Sequence, residues 1–512
     1  MISAVGRVLT RVSHRWMPNP FLLAVLLTFV VLIAAVSVLW NTGTVSGLGE
    51  GLEATVGGWQ RTFFSTKLIA FGFQMCVMLV TGHALASSPP VARLVRRLAS
   101  WPNSFETAIL LVSFVACFMA LVHWALGLIV GAMIAREVGR SAAARNMPHH
   151  YPLLGAAGYT GLMIWGGGLS GSIPLKAQDD MGIDLALTMF SSTNVTICGW
   201  MLFLVPMFCL LLVPRSTDEY VPYAASETEP DEDEPSDSPF HVTMARIFGV
   251  MGFALGLGLF LRRSGLDQVS IVYAVLNGVV LGLVAHRATG LFLRFFGPSD
   301  GETPSERAEN SVFITLLISA MGLGWLEYQV LQGQFKLTFN NLNFLFLFLG
   351  MLFQGTPIRY VRSVAEGTQG CAGIILQFPL YFGILGIIMA PSVSTGLGAV
   401  LSEKLAAMGG ETSYPVITFF SAGLVNLFVP SGGGQWVVQS EVVVAGAQAF
   451  QSVIPKSILA MAYGDAWTNM LQPFWALPLL AITGLKARDI IGYTATIMVL
   501  AGVSTVICLL VL

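Results

Sequence analysis

Apolar stretches long enough to cross a bilayer recur along the whole chain, from Phe21–Leu39 to Ile490–Leu512, and the polar residues between them fall in clusters. A transmembrane helix needs about 20 mainly apolar residues, so the pattern predicts roughly a dozen spanning helices. Membrane barrel strands would alternate over about 10 residues, and no such alternation is present. Two Gly/Ser-rich segments interrupt the apolar pattern from within: Gly-Gly-Gly-Leu-Ser-Gly-Ser-Ile-Pro at Gly166 to Pro174, and Val-Pro-Ser-Gly-Gly-Gly-Gln-Trp at Val429 to Trp436. Each is followed by a polar break containing Thr-Asn, at Ser191 to Asn194 and at Asp465 to Asn469. Non-helical backbone persists at bilayer depth only where protein or a water-filled cavity satisfies its amides and carbonyls. Breaks that occur twice therefore predict a transport site.

The order of these features predicts a duplicated plan: residues 1–213 as a first transmembrane repeat, 214–240 as a linker, 241–310 as connecting spans, and 311–512 as a second repeat with a C-terminal span. An odd number of spans between the repeats would invert one relative to the other, the arrangement of secondary transporters with midplane sites. The fold expected is an all-α polytopic membrane protein with two inverted repeats, each carrying a re-entrant hairpin and a broken transmembrane helix. The arms Leu153 to Trp165 and Val416 to Val429 are too short to span separately, which suits hairpins. Glycine allows close backbone approach, Pro174 and Pro430 are expected to interrupt helix hydrogen bonding, and exposed helix N-termini attract anions. Close helix packing through small residues is the competing reading.

Composition agrees with the membrane assignment. The chain is 55% hydrophobic and 11% charged, with mean hydropathy +0.74, against about 25% charged in soluble domains. Its net charge of -2 conceals a run of nine acids against Arg215 alone between Pro214 and Phe240. Such a stretch reads as a solvated, disordered linker. The remaining 25 bases and 19 acids leave the rest of the chain at +6. Short basic loops favour the cytoplasm. The clusters Arg7/Arg11/Arg15, Arg93/Arg96/Arg97, Arg136/Arg140/Arg145, Arg262/Arg263 and Lys486/Arg488 place the N-terminus inside, whereas Arg287 with Arg294 and Arg359 with Arg362 resist that scheme. The six cysteines lie in or beside apolar runs without metal-ligand spacing.

Asp465 is the ionisable residue of most interest, because an intramembrane carboxylate marks a cation or proton path. The alternative is a surface position capping a helix. His83 and His123 are expected at the interface and Glu441 against solvent. Trp165, Trp436 and Trp467 stand beside breaks, where they would wall an apolar pocket or join an interfacial belt.

The phrases His-Arg-Trp-Met-Pro-Asn-Pro-Phe (His14 to Phe21), Gly-Leu-Ser-Gly-Ser-Ile-Pro-Leu (Gly168 to Leu175), Phe-Val-Pro-Ser-Gly-Gly-Gly-Gln-Trp (Phe428 to Trp436) and the run Ala462 to Leu480 resemble the bacterial short-chain fatty acid transporter family, within the broader ion transporter superfamily. The resemblance implies uptake of short carboxylates such as acetoacetate or butyrate across the inner membrane, paired re-entrant hairpins, and a homodimer with elevator-like motion. Carried over residue by residue, the hairpin tips are Ser170, Gly171 and Ser172, and Ser431, Gly432, Gly433, Gly434 and Gln435. The unwound helices hold Thr193, Asn194, Thr468 and Asn469. The substrate carboxylate is expected at the tip amides with Ser172, Ser431 and Gln435, its acyl tail against apolar and Trp side chains. A coupling ion, Na+ or H+, is expected near Thr193, Asn194, Asp465 and Asn469. No other cofactor, no metal centre and no nucleic acid partner is expected. The rivals are an anion channel and an intramembrane enzyme. Tyr463-Gly464-Asp465 bears a faint likeness to the Gly-Asp element of membrane aspartyl proteases, but that chemistry needs two neighbouring carboxylates, and no HExxH or GxSxG motif is present.

Overall fold

A computed structural model of the chain describes residues 20–224, 239–264, 268–295, 303–392, 395–406, 410–427 and 431–512. Arg7, Arg11 and Arg15, the acidic residues Glu227 to Asp237, and Val429 with Pro430 lie outside them. Among the described residues the chain is helical with no strand, and eight helices are long and apolar enough to cross a membrane. The protein is an all-α polytopic membrane protein. Two further apolar helices, Phe339–Gln354 and Tyr414–Asn426, are shorter, and the helix Pro239–Ser264 contains the apolar stretch Thr243–Leu257.

The chain forms two compact units, one from residues 20–76, 95–224 and 372–512, the other from 77–94 and 239–371. In the second unit, Pro239–Ser264 and Gln268–Phe295 lie antiparallel, with Gly252 against Leu281 and Ala285 and Gly256 against Asn277 and Gly278. Arg287, which the sequence pattern placed in a loop, is buried within a helix and donates to the carbonyls of Leu352 and Phe353 at 3.3 and 2.8 Å. These bonds satisfy carbonyls at the end of Phe339–Gln354, which have no intrahelical partner, so its charge is no guide to topology.

The first unit carries both Gly/Ser segments. Its site-bearing helices are α1 (Phe105–Val122), α2 (Trp124–Ala144), α3 (Tyr151–Tyr159), α4 (Ser172–Met181), α5 (Ser192–Leu210), α6 (Tyr414–Asn426), α7 (Gly432–Ala449), α8 (Ile454–Thr468), α9 (Pro473–Thr483) and α10 (Ala487–Val511). Local chemistry sets their ends. Ser104 and Thr107 form a capping box on α1, and Ser191 caps α5. Gly182 and Gly484 terminate α4 and α9 at φ +68° and +72°, a conformation that glycine adopts without strain. Pro174, expected to interrupt a helix, is instead the third residue of α4, where its missing N–H has no intrahelical acceptor to lose.

The start of the acidic stretch is docked rather than free. His149 Nε2 accepts from the Tyr223 N–H at 2.8 Å, His150 Nδ1 from the Val221 N–H at 3.0 Å, and the Tyr151 N–H donates to the Val221 carbonyl at 2.7 Å. Segment 221–223 thus borrows partners from the entrance of α3.

Candidate functional site

The first Gly/Ser segment leaves α3 through two short 3-10 turns, Thr160–Met163 and Trp165–Gly167, and ends as the N-terminus of α4. The second ends as the N-terminus of α7, whose first turn is capped by Ser431 Oγ accepting from the Gly434 N–H at 3.3 Å. Both segments therefore present the start of a helix, where the first N–H groups have no intrahelical acceptor. Glycine brings the two starts together. A Cβ on Gly432 would collide with Ser172 Oγ and stand 3.1 Å from Asp465 Oδ2, so the tip of α7 lies against the tip of α4 and the flank of α8. Gly166 makes a second close approach, with an added Cβ only 2.6 Å from the Ala462 carbonyl on α8.

An apolar seam supports this meeting point. Ile173 and Ala177 of α4 pack with Ala422 of α6, Trp436 and Val443 of α7, and Ile458, Met461 and Ala462 of α8. Trp436 Nε1 donates to Asp180 Oδ2 at 3.0 Å, tying α7 to the far end of α4. Trp436 is thus a core residue of the seam. On the other side of α8, Met163, Ile197, Met201, Tyr463 and Trp467 help line a cavity of about 20 Å³, room for about one water molecule. Tyr463 and Trp467 each lie two residues from Asp465, a spacing that faces away from it on a helix.

Most polar residues singled out by the sequence are engaged within the protein. Ser170 Oγ accepts from the Trp124 N–H at 2.9 Å, and Gly171 packs on the Gly166 carbonyl. Asn194 sits on the first turn of α5, not within an interrupted helix. Its Nδ2 donates to the carbonyls of Gly167 and Met189 at 2.8 and 2.6 Å, and its Oδ1 accepts from Tyr463 OH at 2.7 Å. Thr193 is half-buried beside it. On the second half, α8 ends at Thr468, a 3-10 turn covers Asn469–Leu471, and α9 follows. Asn426 Nδ2 donates to Thr468 Oγ1 and Asn469 Oδ1, both at 2.9 Å, while Thr468 Oγ1 donates to the Gly423 carbonyl at 3.0 Å. Gln435 Nε2 donates to the Ala422 carbonyl and Gln439 Oε1, both at 2.8 Å. Gly433 lies against the ring of Phe71.

Two oxygens at the meeting point stand out. Asp465 is 2% exposed and Ser172 4%, yet Asp465 Oδ1 and Ser172 Oγ have no hydrogen-bond partner among the described residues. Asp465 is three residues inside the end of α8, so it caps no helix and is not at a surface. A buried polar atom without a partner carries a penalty of about 1–3 kcal/mol, which a bound ligand would relieve. Gln435 Oε1 and Asn426 Oδ1 are likewise buried and unpartnered.

The profile described as "Short chain fatty acid transporter" matches residues 1–294 and 297–512. The chain belongs to the short chain fatty acid transporter family. It is 34% identical over 518 residues to a protein of Escherichia coli (strain K12), covering 99% of each chain. It is 32% identical over 515 residues to one of Haemophilus influenzae (strain ATCC 51907 / DSM 11121 / KW20 / Rd), covering 98% of this chain and 97% of the other. Both relatives carry the name "Putative short-chain fatty acid transporter". The family assignment makes this a membrane transport protein and not an enzyme.

Several residues that shape the candidate site in this family member are not legible from the sequence. His123, expected at an interface, is fully buried and extended (φ -161°, ψ 126°) between α1 and α2. The Leu169 N–H donates to the Leu121 carbonyl beside it at 2.8 Å, so the first Gly/Ser segment seats on a helix interruption that no Gly or Pro announces. Asn426, Gln439 and Gln472 had a weak signal as lone amides in or beside apolar runs. Tyr159, whose OH donates to the carbonyls of Asn469 and Gln472 at 3.0 and 2.9 Å, had none.

Proposed function

We propose that this protein takes up short monocarboxylates such as acetoacetate or butyrate across the bacterial inner membrane by cation-coupled alternating access. The observation that carries the reading is the convergence of Ser172, Gly432 and Asp465, with two buried, unpartnered oxygens between two helix N-termini. The substrate carboxylate accepts from the first-turn N–H groups of α4 and α7 and from Ser172. The donors are neutral, which suits a carrier that must release what it binds. Beside the α7 tip runs a row of aromatic rings, Phe71, Phe378, Trp475 and Trp124, with successive centroids 6.4, 6.1 and 5.2 Å apart. A short acyl tail lies against its Phe71 end.

The names of both relatives support the substrate class. The 9-residue α3 and 13-residue α6 support re-entrant arms, since about 20 residues are needed to span. In this reading the two halves are inverted repeats, the N-terminus is cytoplasmic, and the assembly is a homodimer. Counterflow of labelled acetoacetate or butyrate into vesicles containing the purified protein tests the carrier. Saturable counterflow is expected, and single-channel currents without counterflow would replace the carrier with a channel.

A further inference from the structure

The transport reading leaves the coupling ion open, and the same site constrains it. We propose that the ion is a proton, held on Asp465 and shared with the carboxylate of the bound acid, so that one proton and one anion cross together. This inference rests on the transport reading above. An anion seated at the α4 and α7 tips stands beside Asp465, because the position of a Gly432 Cβ is 3.1 Å from Asp465 Oδ2 and overlaps Ser172 Oγ. Among the described residues no Lys, Arg or His pairs with Asp465. Two carboxylates side by side cannot both be ionised; they share a proton. Asp465 Oδ1, buried and without a partner, is free to use that proton to bond the substrate.

Several of the side-chain oxygens expected to hold a coupling ion are engaged within the protein. A hard cation takes several oxygen ligands. Asn194 Oδ1 accepts from Tyr463, Asn469 Oδ1 from Asn426, and Ser431 Oγ from the Gly434 N–H, while Thr468 Oγ1 bonds both Gly423 and Asn426. Asp465 and Ser172 remain at the meeting point, with the neutral amide oxygens Gln435 Oε1 and Asn426 Oδ1 the other unpartnered oxygens nearby on α7 and α6 among the described residues. The titratable groups on the surrounding elements are occupied or distant along the chain. On α4, Asp180 bonds Trp436 and Lys176 is one turn beyond Ser172. On α6, Tyr414 OH donates to the Val442 and Val443 carbonyls; on α7, Glu441 is nine residues past Gly432 and exposed. Lys456 is at the start of α8, Tyr463 bonds Asn194, Tyr159 OH bonds the Asn469 and Gln472 carbonyls, and Arg488, Asp489 and Tyr493 lie in the first turns of α10.

Vesicles containing the full-length protein decide the matter with labelled acetoacetate, protein-free vesicles correcting for diffusion of the neutral acid. Accumulation driven by a pH gradient, acid outside, is expected to be unchanged when choline replaces Na+ and insensitive to an imposed membrane potential of either sign. Asp465→Asn is expected to lose the response to the pH gradient, and Asp465→Glu to restore it. A Na+ requirement, potential-driven uptake, or an intact pH response in Asp465→Asn would overturn the proton while leaving the carrier standing. If Asp465→Asn fails to fold, the Na+ and potential measurements on the wild type decide alone. No counterflow by the wild type with any short monocarboxylate would sink the carrier and the proton together.

Discussion

The two Gly/Ser segments look alike in sequence and do different work. At the first, glycine is used against backbone: Gly166 faces the Ala462 carbonyl and Gly171 the Gly166 carbonyl, while Ser170 and Asn194 bond main-chain groups. At the second, Gly432 faces a hydroxyl and a carboxylate that have unmet bonding capacity, and Gly433 faces an aromatic ring. The lesson is that the first break divides its own residues, with Ser170 and Gly171 holding the architecture and Ser172 reaching the meeting point, whereas the second brings Gly432 directly to that point. Glycine at the first permits packing on backbone; at the second it permits close approach to the side chains of Ser172 and Asp465.

Substitutions break or sharpen that contrast. The largest effect is expected from Gly166→Val, whose Cβ would meet the Ala462 carbonyl at 2.6 Å and the Ala466 Cβ at 3.3 Å. Neither can move without shifting α8, so a loss of about 3 kcal/mol or more is expected, read as a drop of several degrees in the unfolding temperature in detergent. Gly432→Ala meets side-chain atoms instead. It is expected to keep an unfolding temperature near wild type while uptake falls about tenfold or more, a binding penalty of about 1.4 kcal/mol. Equal thermal losses in the two variants would erase the distinction.

Asn426→Ala removes the donor shared by Thr468 and Asn469. It is expected to destabilise by about 1–2 kcal/mol, with uptake lowered in proportion to folded protein. A selective loss of substrate affinity would instead move Asn426 into the site. The smallest effect is expected from Trp436→Phe, which deletes the bond to Asp180 but keeps the ring in the seam. About 0.6 kcal/mol is expected, the mean for interhelical hydrogen bonds in membranes. A change above about 2 kcal/mol would mean that the link between α4 and α7 carries more of the fold than the seam does.

Much of the proposed site is legible in the amino-acid sequence alone. Ser172, Gly432 and Asp465 were singled out because small, hydroxylic or charged residues in apolar runs are locally anomalous, and an anomaly can be read without knowing its neighbours. The same anomaly was ambiguous for Ser170, Asn194 and Thr468, which the fold uses for internal hydrogen bonds. His123 was misplaced because the interruption around it comes from packing of the Gly168–Leu169 segment onto Leu121, a contact 47 and 48 residues away in the chain.

By itself the amino-acid order determined that this chain is a helical membrane protein, where its apolar runs break, and which family it resembles. Hydropathy and turn chemistry are properties of short windows, so they survive without a partner. Only the tertiary structure decided which polar atoms are paired off and which are left over. Hydrogen-bond satisfaction depends on groups hundreds of residues apart, as when Tyr463 takes Asn194 and Tyr159 reaches Asn469. The residue left over, Asp465 beside Ser172, became conspicuous once its neighbours had found their partners.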